Sequence, residues 1–178
     1  MRIISGLYKG KRISAPSNIT ARPTTDFAKE GLFNILNNLI DFDDIDVLDL
    51  FSGTGSISFE FVSRNCRHVI SVEQNERHCA FIRKICTELK ISNLQLIKTD
   101  VFRFVHSCNL NFDVVFADPP YELTQIEEIP DLIINKNILK PDGLFILEHS
   151  AKNDFSGHPN FENKRNYGNV NFSFFRQK

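Results

Sequence analysis

The chain has 178 residues and a formal net charge of −1, long enough for one domain to bury a core without disulfide or metal staples. Cys66, Cys79, Cys86 and Cys108 include no C-x-x-C pair and the five histidines no H-x-x-x-H pair, so neither a metal site nor a redox dithiol is expected. No apolar run is long enough to span a bilayer and no signal-type h-region opens the chain, so a cytoplasmic protein without membrane contact is expected.

The charge is unevenly spread. Residues 1–24 hold Arg2, Lys9, Lys11, Arg12 and Arg22 and no acid, and residues 151–178 hold five basic and two acidic side chains. Since the total is −1, the middle carries −9. Such polarity suits terminal segments that touch phosphates and a body that binds a cation. Phenylalanine, at 17 against no Trp and one Met, carries much of the expected core.

In chain order, Arg2-Ile3-Ile4-Ser5 and Arg12-Ile13-Ser14 flank a glycine-bounded turn, a short hairpin pattern. Arg22-Pro23-Thr24 reads as a linker, with Thr24, Thr25 and Asp26 as candidate helix caps. The helix that follows, to about Leu39, places Ala28, Leu32, Ile35, Leu36 and Leu39 on one face. From Asp46 to Ser150, apolar strands alternate with helical stretches, as in a parallel sheet with crossovers. The clearest helix runs from about Asn75 to Lys90, with Cys79, Ile82, Cys86 and Leu89 on its buried face. Gly143 to Glu148 reads as a fifth strand started by the Pro141-Asp142-Gly143 turn. Two final strands, roughly 160–165 and 169–176, flank a Tyr167-Gly168-Asn169 turn.

Four strand ends carry the chemistry. The strand Asp46-Val47-Leu48 leads into Asp49-Leu50-Phe51-Ser52-Gly53-Thr54-Gly55, where the two glycines allow a tight turn and close approach of a ligand. A phosphate-binding Rossmann loop looks much the same, but Ser58 stands where the third glycine of the dinucleotide fingerprint belongs. Asp49 would repel a pyrophosphate and suit an ammonium. Glu73 ends the next strand, placed for two ribose hydroxyls, and Asp100 follows a third, placed for an adenine amine. After the fourth, Phe112 to Ala117, comes Asp118-Pro119-Pro120-Tyr121. Its carboxylate can accept from an NH₂, its prolines stiffen the backbone, and Tyr121 offers a stacking face. Ligands of open α/β sheets lie beyond the carboxyl ends of the strands, where all four acids fall.

Strand, Asp-x-Phe-x-Gly-x-Gly, strand-Glu, strand-Asp and strand-Asp-Pro-Pro-Tyr together resemble a class I S-adenosylmethionine-dependent methyltransferase acting on an exocyclic amine. More narrowly, the chain resembles the bacterial 16S rRNA guanine-N2 methyltransferase family (RsmD-like). Met1-Arg2-Ile3-Ile4-Ser5-Gly6, Arg22-Pro23-Thr24-Thr25-Asp26 and Tyr167-Gly168-Asn169-Val170 carry that match across nearly the whole chain. Ser52 where the family often has Ala, and Tyr121 where it often has Phe, are departures.

The resemblance implies a single Rossmann-like α/β domain over residues 24–178, with a mostly parallel seven-stranded sheet and helices on both faces. Residues 1–23 are then a basic hairpin and linker, with Arg2, Lys9, Lys11, Arg12 and Arg22 as RNA contacts. It implies S-adenosyl-L-methionine as cofactor and S-adenosyl-L-homocysteine as product, held by Asp49, Phe51, Ser52, Gly53, Thr54, Gly55, Glu73, Gln74, Asp100, Val101 and Asp118. Asp118, Pro119, Pro120 and Tyr121 form the expected catalytic set. The implied partner is 16S rRNA, free or in an assembled small-subunit particle, and the protein is expected to be a monomer. An adenine-N6 methyltransferase would use the same tetrad, but no separate target-recognition domain is evident. An NAD-binding oxidoreductase is the other alternative, disfavoured by Ser58 and the lack of a hydride-transfer constellation.

Overall fold

A computed structural model describes residues 1–15 and 25–177. The elements are α1 (Asp26–Leu39), β1 (Asp46–Leu50), α2 (Ser56–Ser63), β2 (His68–Glu73), α3 (Glu76–Leu89), β3 (Leu94–Lys98) and α4 (Val101–Ser107). They continue with β4 (Phe112–Ala117), a 3₁₀ turn (Ile126–Glu128), α5 (Ile129–Asn135), β5 (Leu139–His149), β6 (Phe161–Tyr167) and β7 (Val170–Arg176). The seven strands form one sheet in the order β3-β2-β1-β4-β5-β7-β6. Neighbours from β3 to β5 are parallel; β7 runs antiparallel to both β5 and β6. The order reverses between β1 and β4, which is where an open sheet leaves its ligand crevice.

Strand alternation divides the core. Leu48 and Leu50 face one layer with Val101 and Val105 of α4 and Ile129 and Ile133 of α5. Val47 faces the other, with Leu32 and Leu36 of α1 and Ile57 and Phe61 of α2. On that second side, Ile82 and Ile85 of α3 pack with Phe59 of α2 and with Ile3 and Ile13 from the start of the chain.

Several expectations change in detail. No strand is formed among the described residues before β1, so the predicted N-terminal hairpin is reduced to a single antiparallel bridge, Arg2 to Arg12. Around that bridge the arms still exchange backbone bonds, Ile3 N–H to Lys11 O and Ile13 N–H to Met1 O, both at 3.0 Å. The segment also docks on α2: Leu7 N–H donates to Ser63 O at 2.7 Å, Tyr8 N–H to Ser63 Oγ at 3.0 Å, and Ile4 N–H to Glu60 Oε1 at 2.8 Å. Thr25 caps α1 by accepting from Ala28 N–H at 3.1 Å, but Leu39 is exposed and Lys29 and Phe33 are buried in its place. β5 begins at Leu139 rather than Gly143, because the Pro141-Asp142-Gly143 stretch bulges within the strand, with Phe112 opposite Leu139 and Val114 opposite Leu144. Arg22, Pro23 and Thr24 lie outside the described residues.

Candidate active site

The loop after β1 is wound tightly, with φ of 58° at Phe51, 55° at Gly53 and 78° at Gly55. Ser52 anchors it. Its N–H and Oγ both donate to Val72 O on β2, at 3.1 and 3.2 Å, and Oγ also donates to Asp49 O at 2.7 Å. The hydroxyl that departs from the family's alanine therefore ties β1 to β2. The two glycines serve different ends. A Cβ on Gly55 would lie 2.9 Å from the Phe59 ring and 3.2 Å from Ile82, so that position lets the loop pack on α2 and α3. A Cβ on Gly53 would meet nothing closer than Phe51 O at 4.0 Å, so its outer side faces open space that a ligand can fill.

Glu73, ending β2, holds the loop from across the crevice. Its Oε2 accepts from Gly53 N–H at 2.8 Å and its Oε1 from Asn75 N–H at 2.7 Å. Asn75 in turn caps α3 through Arg77 N–H at 2.9 Å, and Gln74 beside it is exposed. His78 Nδ1 lies 3.6 Å from Glu73 Oε2 and is buried without a hydrogen-bond partner. Asp100 caps α4, accepting from Arg103 N–H at 3.0 Å, with Val101 buried behind it and Thr54 buried in the glycine loop.

Asp49 departs from its expected place. It shares a strand face with Val47, so its carboxylate turns under the loop toward α2, where Ser58 Oγ donates to it and also meets Ser71 Oγ. At 1% exposure it offers a ligand no surface. Burial pushes its pKa up to about 7, against the pull of the Ser58 hydrogen bond. Period-two alternation from Val47 was the available signal for this orientation.

The tetrad lies directly against the glycine loop. Asp118 N–H donates to Leu50 O, the last residue of β1, at 3.4 Å. Pro119 is buried and Pro120 is exposed, with the Pro120 carbonyl accepting from Leu123 N–H at 2.9 Å. Tyr121 is 43% exposed. The crevice edge thus gathers Gly53, Glu73 and Asp118 across three adjacent strands, with Asp100 at the end of β3 beyond them. A cleft of about 560 Å³ lined by Tyr8, Asp43, Asn65, Arg67, Lys90 and Asn93 lies at the opposite end of the sheet, where β1, β2 and β3 begin. It has neither a glycine loop nor the tetrad.

A buried ion-pair cluster went unread in the sequence. Glu60, fully buried on α2, pairs with Lys29 Nζ at 3.1 Å and with Arg64, and Lys29 also donates to Arg2 O at 2.7 Å and Ser56 Oγ at 3.3 Å. The only sequence signal is one charged residue inside the apolar helix SISFEFVS. Arg2, Lys9, Lys11 and Arg12 are exposed and enter no ion pair among the described residues. Arg2 and Arg12 lie nearest the glycine-loop end of α2, while the Leu7–Tyr8 turn reaches its far end at Ser63.

Seven strands in this order, a glycine loop after β1 held by an acid from β2, and Asp-Pro-Pro-Tyr after β4 define a class I S-adenosylmethionine-dependent methyltransferase. The chain matches the family described as Conserved hypothetical protein 95 over residues 1–176. It belongs to that family, the RsmD-like methyltransferases. It is 33% identical over 148 residues to "Ribosomal RNA small subunit methyltransferase D" of Buchnera aphidicola subsp. Baizongia pistaciae, covering 83% of this chain and 75% of that one. The structure of yhhF from Escherichia coli superposes with a TM-score of 0.87 at 25% identity, covering 100% of this chain and 98% of that one. SMU.776, a likeness of fold alone (TM-score 0.62, 20% identity, 80% of this chain and 48% of that one), is solved in complex with S-adenosylhomocysteine. No helix among the described residues is long and apolar enough to cross a membrane, and no group of three or more His, Cys, Asp or Glu side chains is placed to hold a metal.

Proposed function

We propose that this protein methylates the exocyclic N2 amine of a guanine in small-subunit rRNA. One observation carries the reading: the Asp118 amide bonds to Leu50 O, which sets an amine-binding tetrad against the loop that cradles the cofactor. The name of the Buchnera relative and the basic N-terminal segment support rRNA as the substrate class. S-adenosylmethionine fits the residues present, since Gly53 leaves open space at the loop and Glu73 stands beside it with a carboxylate suited to ribose hydroxyls. The cofactor supplies an electrophilic methyl on a sulfonium.

The chain's own residues prepare the amine. A guanine NH₂ is a poor nucleophile because its lone pair is delocalised into the ring. Accepting its N–H bonds on Asp118 favours a pyramidal nitrogen and stabilises the positive charge that develops there. Tyr121 holds the ring plane, so that the nitrogen meets the methyl in line. Bound S-adenosylmethionine would supply the methyl and keep the electron pair of its S–C bond, while Asp118 would hold an N–H of the methylated ammonium until that acidic proton leaves to solvent. Asp118 therefore acts as an acceptor and counter-charge and need not be a strong base. The target base must leave its stack, which an exposed RNA loop makes inexpensive.

The test uses purified protein with labelled cofactor on naked 16S rRNA and on small-subunit particles, followed by nucleoside mapping. N2-methylguanosine at one site is the expected product. N6-methyladenosine, or a chain that binds NAD and no S-adenosylhomocysteine, would overturn the reading.

A further inference from the structure

We propose that Phe27 and Tyr167 form a stacking platform for an unpaired nucleotide beside the one that enters the Asp118 pocket. The inference rests on the RNA-substrate reading above and adds a second substrate contact on the crevice rim.

Phe27 is 69% exposed in the first turn of α1, an unusual place for a phenylalanine in a chain whose other phenylalanines are buried or half-buried. It is nevertheless held. Its ring meets Tyr167 edge-to-face, with centroids 5.8 Å apart at 77°. Tyr167 is itself seated on the α1 backbone at Gly31, where a Cβ would come within 2.1 Å of its Cε1. The glycine thus makes room for the tyrosine, and the tyrosine fixes the phenylalanine while much of that ring stays open to solvent.

Both residues belong to the active rim. Lys29, two residues after Phe27, reaches Ser56 Oγ at the start of α2, just beyond the glycine loop. β7 is antiparallel to β5 and pairs Asn171 with His149, so the β6–β7 turn beside Tyr167 lies past the carboxyl end of β5. From β4, which leads into the turn that holds Tyr121, to β7 and β6 is two to three strand steps, about 10–14 Å at normal strand spacing. Exposed aromatics on this one edge of the sheet, Tyr121 and Phe27, suit neighbouring bases of a single strand.

Charge favours a polyanion as the occupant. Arg165, two residues before Tyr167, shares its strand face, and Lys164 lies next to it on the exposed edge strand. Neither makes an ion pair among the described residues; of the acids beside Phe27 on α1, Asp26 lies 3.9 Å from Lys29 and Glu30 is exposed one turn on. An aromatic face flanked by two cations is the combination that binds single-stranded nucleic acid without base-specific hydrogen bonds.

The test compares wild type, Phe27→Ala and Phe27→Trp, reading RNA affinity and KM on the methylated substrate, S-adenosylhomocysteine affinity and thermal stability. Phe27→Ala should weaken RNA binding and raise KM by about 5- to 100-fold, the range for losing one stacked base. Cofactor affinity, single-turnover rate at saturating RNA and Tm should stay put, and Phe27→Trp should restore or tighten RNA binding. An alanine variant that binds and methylates like an active wild type overturns the platform, and so does an equal loss of cofactor affinity, which would mark a structural role. Tight RNA binding by both variants with loss of a copurifying protein would assign the patch to a protein partner instead. If the wild type itself neither binds nor methylates RNA, the substrate reading fails first.

Discussion

The amide of Gly53 donates to Glu73 Oε2 at 2.8 Å, so one carboxylate from β2 both latches the glycine loop of β1 and stands on the edge where the crevice opens. Glu73→Ala should therefore do two things at once. It removes a charged acceptor from the cofactor site and strands the Gly53 and Asn75 amides. Affinity for S-adenosylhomocysteine should fall by about 1.5–3 kcal/mol, the scale of charge-assisted hydrogen bonds, with a lower Tm in the ligand-free protein. Calorimetry and thermal melts measure the two effects separately. Unchanged affinity in a folded variant would mean that Glu73 only braces the loop.

Glu60 is a structural keystone for the opposite face. It is fully buried and accepts from Ile4 N–H while pairing Lys29 and Arg64, both largely buried themselves. Glu60→Ala leaves Lys29 with only the half-exposed Asp26, 3.9 Å away, as counter-charge, and breaking a buried pair in this way costs about 3–5 kcal/mol. Urea denaturation should show that loss, and proteolysis should reach the segment before residue 14 more readily. A change below ~1 kcal/mol would mean that Lys29 finds another acceptor.

The placement of the glycine loop, Glu73, Asp100 and the tetrad along one edge was legible because strand-end positions in a parallel sheet converge whatever the packing details. Asp49 was misplaced for a physical reason. Position in the chain put it at the end of β1, but the pleat decides which face a side chain takes, and Asp49 follows Val47 toward α2. The Glu60 cluster was illegible because it joins residues from α1, α2 and the first four positions, contacts no local pattern encodes. The N-terminal hairpin pattern gave no hint that Ile3 and Ile13 pack on Phe59 and Ile82, because those partners lie on helices far along the chain.

Asp49 gives stability a pH dependence of definite sign. Its folded pKa is raised to about 7 from an ordinary 3.8, chiefly by burial, so the folded state holds a proton that the unfolded chain gives up earlier. Its contribution is fully present below about pH 4 and declines as pH rises through 7. Asp49→Asn keeps an acceptor for Ser58 and removes the titration. The urea midpoint of the variant should gain on wild type between pH 4.5 and 7.5, by on the order of a few kcal/mol in stability. A difference that stays constant across that range would contradict a buried, protonated Asp49.

The basic N-terminal segment should serve RNA and leave the cofactor alone, since Lys9, Lys11 and Arg12 are exposed and enter no ion pair among the described residues. Replacing all three with alanine should weaken RNA binding and flatten its salt dependence by about two units of log–log slope, roughly 0.7 per lost phosphate contact. Affinity for S-adenosylhomocysteine should not move. Wild-type methylation across a salt series by the triple variant would reduce the segment to a solvated surface.

Asp118 should matter more to turnover than to binding. Its backbone is pinned to the end of β1 through Leu50 O, a contact that a side-chain change does not remove. Asp118→Ala removes the acceptor for the target amine and the charge opposite the developing cation. Losing a preorganised electrostatic partner of this kind costs on the order of 10²–10³ in rate. Asp118→Asn keeps one oxygen acceptor in nearly the same place and should retain more activity than alanine. Tyr121, 43% exposed at the pocket mouth, contributes a ring face, so Tyr121→Phe should be mild and Tyr121→Ala severe. Single-turnover methylation of the rRNA substrate, with both ligands' affinities measured separately, orders the series. Near-normal turnover by Asp118→Ala would reduce the tetrad to a turn that ends β4.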